Sequence, residues 1–102
     1  MAESKIKLGD VSFFRSGLSD ISGSDLNDLY ISGFYTGNTL TNSPRGDTAY
    51  YIVHHFNYGN NSRYAIQLAF KLVYASNTEM YKRIRFGDYG WSNWESFKPS
   101  AI

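Results

Sequence analysis

The sequence predicts a small all-β domain, an antiparallel meander or sandwich knob with one short N-terminal helical turn, preceded by an extended arm. Three observations carry that prediction. Runs of residues alternate with a period of two, as in Met80-Tyr81-Lys82-Arg83-Ile84-Arg85-Phe86. There Met80, Ile84 and Phe86 fall on one side and Tyr81, Arg83 and Arg85 on the other, the mark of a strand with two unlike faces. Clusters of Gly, Asn, Asp and Ser separate the runs and let the chain reverse. Nine Tyr, seven Phe and two Trp among 102 residues suit an aromatic-packed sheet, and no stretch sustains a helical period.

Residues 1–24 read as an attachment arm or linker and residues 25–102 as the knob. In the arm, turn formers (Ser16-Gly17, Ser19-Asp20, Ser22-Gly23-Ser24) separate apolar islands. Such islands cannot build a core of their own. The adjacent aromatics Phe13-Phe14 argue against a free tail, so Ile6, Leu8, Val11, Phe13 and Phe14 are the candidates for docking on another protein. Ser24 to Leu29 reads as one helical turn, with Ser24 as N-cap and Asp25 and Asp28 favoured by the helix dipole. Tyr30 to Tyr35 follows as a short strand and Thr36 to Thr48 as a polar loop.

Ala49 to Phe56 is the clearest strand, and 57–62 a turn rich in residues that tolerate left-handed backbone. Tyr64 to Phe70 alternates large with small, which predicts Tyr64, Ile66, Leu68 and Phe70 on the buried side, and it runs on toward Tyr74. After the 80–86 strand, Gly87-Asp88-Tyr89-Gly90 reads as a hairpin loop. Trp91 and Trp94 then stand three apart. A regular strand puts such a pair on opposite faces, so a bulge or kink is expected between them.

Composition removes several classes. Net charge is +1, so no overall field attracts nucleic acid or an anionic membrane. There are no cysteines, hence no disulfide or thiolate metal site. The apolar stretches are too short to span a bilayer, and the first residues lack the apolar segment of a signal peptide, so synthesis in a cytoplasm is expected. A chain this short buries a small core, for which oligomerisation is a remedy.

Motifs for chemistry are sparse. His54-His55 cannot chelate one ion, because strand neighbours point to opposite faces. Asp47, His55 and a serine lack the spacing of a hydrolytic triad, and no carboxylate pair in a cleft is apparent. No catalytic residue, metal ligand or cofactor is expected. Arg45-Gly46-Asp47 and Asn60-Asn61-Ser62 are short matches to an integrin-read tripeptide and a glycosylation acceptor, both more simply loop chemistry. Lys71, Lys82, Arg83 and Arg85 are offset by nearby carboxylates, so Tyr81, Arg83, Arg85 and Trp94 are taken as structural stacking. Exposed aromatic faces suit a pyranose ring, which makes Tyr89, Trp91, Tyr58 and Asn60 glycan-contact candidates.

The order of parts resembles the small knob domains of phage tail fibres and R-type pyocin fibres. The matching pieces are Asp25-Leu26-Asn27, Gly33-Phe34-Tyr35, Tyr81-Lys82-Arg83 and Trp91-Ser92-Asn93-Trp94, spanning roughly residues 25 to 97. The resemblance implies a non-enzymatic virion module, usually trimeric, along or at the tip of a fibre. On that reading the chain is a homotrimer held to a capsid or tail protein by its arm, as a tail fibre, head fibre or decoration protein. A second reading is a glycan-binding module that adsorbs to a host-surface polysaccharide.

Overall fold

The computed structural model describes residues 19–73 and 79–97. They form six strands: β1 (Ser19–Asp20), β2 (Gly33–Gly37), β3 (Tyr51–Tyr58), β4 (Asn61–Lys71), β5 (Met80–Phe86) and β6 (Glu95–Phe97). All lie in one sheet whose spatial order follows the chain. Neighbours are antiparallel except β1, which runs parallel to β2. Of the two architectures the alternation left open, the described residues adopt the meander. Two short 3-10 turns interrupt it, at Leu26–Asp28 and Gly87–Tyr89.

The first turn begins one residue later than its polar sequence suggests. Asp25, not Ser24, is the cap: its Oδ1 accepts from the Asn27 N–H at 2.8 Å. Ser24 uses its carbonyl to accept from Thr41 N–H at 2.9 Å, tying the turn to the 38–50 loop. Strand β2 is also displaced, running through Gly37 rather than ending at Tyr35. Gly37 makes this possible because the Ser22 backbone presses on it; a Cβ there would lie 2.7 Å from Ser22 N. Residues 19–24, which composition groups with the arm, are thus joined to the sheet, with Ile21 N–H donating to Thr36 O at 2.8 Å. The docking candidates Ile6, Leu8, Val11, Phe13 and Phe14 lie outside the described residues.

Cross-strand register sorts the sheet into two unlike faces. On one face Tyr35, Val53, Ala69 and Tyr81 form a row, and Gly33, His55, Gln67 and Arg83 form the next. The turn and loops fold over this face. Leu26 and Leu40 pack there against Tyr51, Val53, Ala69 and Tyr81, with Ile21, Leu29, Ala49 and Trp94 around them.

The opposite face carries the larger apolar side chains. Its rows are Phe34, His54, Leu68 and Lys82; Thr36, Ile52, Phe70, Met80 and Phe97; and Phe56, Ile66 and Ile84, with Tyr64 and Phe86 at one end. The core cluster takes no member from this face. Ile84 and Phe86 are 41% and 57% exposed.

The expectation that Tyr64, Ile66, Leu68 and Phe70 are the buried side of β4 is therefore corrected: Ala65, Gln67 and Ala69 are buried and the large residues half-exposed. The reason is space. Loops that cover a sheet with leucines and a tryptophan need small residues beneath them, and Ala69 supplies that room. Alternation reveals which residues share a face, not which face the loops cover.

Candidate functional site

The covered face ends in a polar assembly centred on Arg83 of β5. The side chain is only 4% exposed. Its guanidinium carbon sits 4.2 Å from the Trp91 ring centre and 4.7 Å from that of Trp94. Arg83 Nε donates to Gln67 Oε1 at 2.9 Å. Fully buried Gln67 is the hub: its Nε2 donates to Leu26 O at 2.8 Å and lies 3.1 Å from His55 Nδ1. His55 Nε2 in turn meets Asn57 Oδ1 at 2.8 Å, and Asn57 Nδ2 donates to Tyr30 O at 2.7 Å.

These bonds fix the tautomer. With Gln67 Nε2 as donor, His55 Nδ1 must accept, so the proton sits on Nε2 and goes to Asn57. Burial, more than any other influence, lowers the His55 pKa below its ordinary value; the Arg83 charge and His54 lower it further, and the Asn57 bond opposes them. Protonating Nδ1 would also set N–H against N–H. The unfolded chain thus takes up a proton near its ordinary 6.5 while the folded chain still resists, so stability is complete above that pH and is lost as pH falls below it. His54, also lowered by burial, acts in the same direction. Melting followed from pH 7 to pH 5 is expected to show a falling Tm; a flat or rising profile would contradict the neutral, acceptor role of His55.

The two tryptophans reach Arg83 because the chain kinks between them, as their spacing predicts. Trp91 bridges to Arg85, and Ser92 then closes on Ile84, its N–H donating to Ile84 O at 2.7 Å and its Oγ accepting from Ile84 N–H at 3.0 Å. Past this kink Trp94 turns into the core, where its Nε1 donates to Asn42 O at 2.9 Å. Asn42 has a left-handed backbone, φ 63°, which asparagine tolerates. Its Nδ2 donates to Asp25 Oδ1 at 2.8 Å. The first turn, the 38–50 loop and the Trp segment are thereby locked over Arg83.

Between them lies a hollow of about 510 Å³, lined chiefly by Asn42, Ser43, Arg83, Trp91, Asn93 and Trp94. Two buried donors on its lining residues, Arg83 Nη2 and Trp91 Nε1, have no acceptor among the described residues. Neither does Arg83 have a carboxylate at ion-pair distance there. Burial lowers its pKa to about 10, with Asp25 opposing the shift, so the guanidinium is charged at neutral pH.

The remaining candidates are dispersed. Tyr81 is in the core, its hydroxyl bonded to Glu79 and its pKa raised to about 12, first by burial and then by that bond. Arg85 is half-buried on the same face. Tyr89 is 89% exposed on the second turn and Tyr58 78% exposed at the β3–β4 hairpin. Neither of them, nor Asn60, lines the hollow that Trp91 lines. His54 stacks between Phe34 and Phe56 on the open face, at 4.1 and 4.5 Å. Asp47 accepts from Lys71 Nζ at 2.9 Å and from Tyr51 OH at 3.2 Å, holding its loop. Lys82 pairs with Glu95 at 3.3 Å on the open face, so the basic residues do not share one surface. No cluster fit to hold a metal occurs among the described residues.

The open face has its own groove of about 480 Å³ at the hairpin end, walled by Phe56, Tyr58, Tyr64, Ile66, Ile84 and Phe86. Sequence reasoning gave no role to Gln67 or Asn42. One signal for the first was available: a lone polar residue between two alanines in the small-residue register of β4. Compared with family models, with curated proteins and with solved structures, the chain matches none of them.

Proposed function

We propose that the chain is a non-enzymatic knob of the phage-fibre kind, which assembles as a homotrimer through its open sheet face and is held to a virus particle by its N-terminal arm. The single observation that supports this most is the open face itself. Contiguous apolar surface beyond a few hundred Å² marks an interaction site on a soluble protein. Here three neighbouring strands leave half-exposed or exposed a field of Ile52, Phe56, Ile66, Leu68, Phe70 and Ile84, with Lys82 as the one cation in its rows among the described residues. That cation is already paired with Glu95.

A second copy is the occupant that fits. A neutral apolar field offers no charge pattern to choose a foreign partner, whereas obligate homo-oligomer interfaces are of this apolar, core-like kind. Closed rotational symmetry lets each copy cover its neighbour with the same surface elements, and the resemblance of the Tyr81-Lys82-Arg83 and Trp91-Ser92-Asn93-Trp94 pieces to fibre knobs favours three copies. Presenting three sets of loops also lets weak contacts to a repetitive surface add.

Light scattering on a sizing column is expected to give about three times the chain mass of 11.6 kDa. A mass of one chain throughout the micromolar range would overturn the proposal.

A further inference from the structure

Arg83 in this hollow has no carboxylate at ion-pair distance among the described residues, and the other lining groups show what anion would fit. We propose that it binds a carboxylate-bearing sugar, with the carboxylate on the Arg83 guanidinium and the Trp91 indole N–H, and the sugar hydroxyls on the surrounding amides and hydroxyls. A buried donor without an acceptor is expensive, and more so when it carries charge. Arg83 Nη2 and Trp91 Nε1 are both in that condition, and both belong to residues that line the same hollow. An anion that accepts from them satisfies the two together.

Geometry narrows the anion. The guanidinium lies over both indole rings, 4.2 and 4.7 Å from their centres, and is pinned at Nε by Gln67, so its remaining N–H groups are pre-oriented rather than free to search. A planar fork of that kind matches a carboxylate. Among the described residues Arg83 is the only charged one lining the hollow, which suits a single negative charge better than the double charge of a phosphate monoester. Besides Pro44 and the two tryptophans, the lining is Asn27, Asn42, Ser43, Ser92 and Asn93, uncharged amides and hydroxyls of the kind that pair with sugar hydroxyls. Asn27, Ser92 and Asn93 are exposed at the rim, whereas Arg83 beneath them is buried.

The inference does not depend on how the chain assembles, because the hollow and the open apolar field are on opposite sides of the sheet.

Both tryptophans of the chain flank Arg83, so intrinsic fluorescence of the full chain reads the site directly. Titration with glucuronate is expected to change the emission saturably at millimolar concentration, and glucose at the same concentrations to leave it unchanged. Asn93→Asp, an exposed change that sets a negative charge at the rim, should weaken the response at least about tenfold with the Tm unaltered. Arg83→Met, which keeps an apolar stem between the indoles, should abolish it. Diglycerol phosphate, a phosphodiester, tests the other common monoanion of polysaccharides. No saturable change with glucuronate, an equal change with glucose, a preference for diglycerol phosphate, or unchanged binding in Asn93→Asp would each overturn the assignment.

Discussion

Replacing Gln67 by leucine is expected to unfold the domain. The two side chains are similar in size, so no large cavity forms. What is lost is the centre of a polar chain that crosses three strands under the covering loops. His55 Nδ1 loses its donor and Arg83 Nε its acceptor, and Leu26 O keeps only the long 3.5 Å bond from Leu29 N–H. Each buried group left unpaired costs about 1–3 kcal/mol, and these losses together reach several kcal/mol. Small domains have total stabilities of about 5–15 kcal/mol, and a chain of 102 residues stands toward the lower part of that range. Urea unfolding followed by circular dichroism should show the cooperative transition lost or its midpoint strongly lowered. A midpoint equal to the parent's would mean that the network contributes nothing to the fold.

Ile84→Glu is expected to abolish assembly and spare the fold. Ile84 is 41% exposed and pairs across the sheet with Ile66, in the middle of the open apolar field. In a lone copy a glutamate there reaches water, and an exposed substitution of this kind shifts stability by roughly 0.5 kcal/mol or less. In an assembly built on this face, each copy would bury an unpaired carboxylate, at a cost of several kcal/mol per charge, on the order of a thousandfold or more in association. The same change therefore has opposite consequences for the monomer and the oligomer. Circular dichroism and tryptophan emission, which report the covered side, should remain those of the parent, while the concentration dependence of melting should vanish. Loss of secondary structure in the variant would point instead to a face covered by the chain's own residues.

Much of the fold was legible in the sequence because period-two alternation is a direct image of strand geometry. The strands expected at 49–56, 64–70 and 80–86 form at 51–58, 61–71 and 80–86. The turn expected over 57–62 is narrowed to the two residues between β3 and β4, because pairing continues into both its ends. The glycines at 87 and 90 and the spacing of Trp91 and Trp94 mark the loop and the kink. The covered face was not legible. Large apolar residues at 64, 66, 68 and 70 look like a core, yet the loops settle over Ala65, Gln67 and Ala69. A small-residue register leaves room for a covering layer, and a large-residue register fills its own space; pattern alone weights them the other way.

The cap at Asp25 and the path of β2 through Gly37 depend on backbone contacts with Thr41 and Ser22, far off in sequence. Of the site, the shared strand face of Arg83 and Tyr81 points to Tyr81 as the stacking ring, whereas the guanidinium lies over Trp91 and Trp94. That its partners are Trp91 and Trp94, and that Gln67 holds it from behind, depends on the register of β4 against β5 and on the kink, neither of which a single sequence spells out.

The central claim is that the apolar face of the sheet is where copies of this chain meet. Light-scattering mass of the parent and of Ile84→Glu, run side by side on one column at matched concentrations, tests it most directly. Three copies are expected for the parent and one for the variant, with both still folded. A parent that elutes as a single chain, or a variant that still elutes as a trimer, would contradict it.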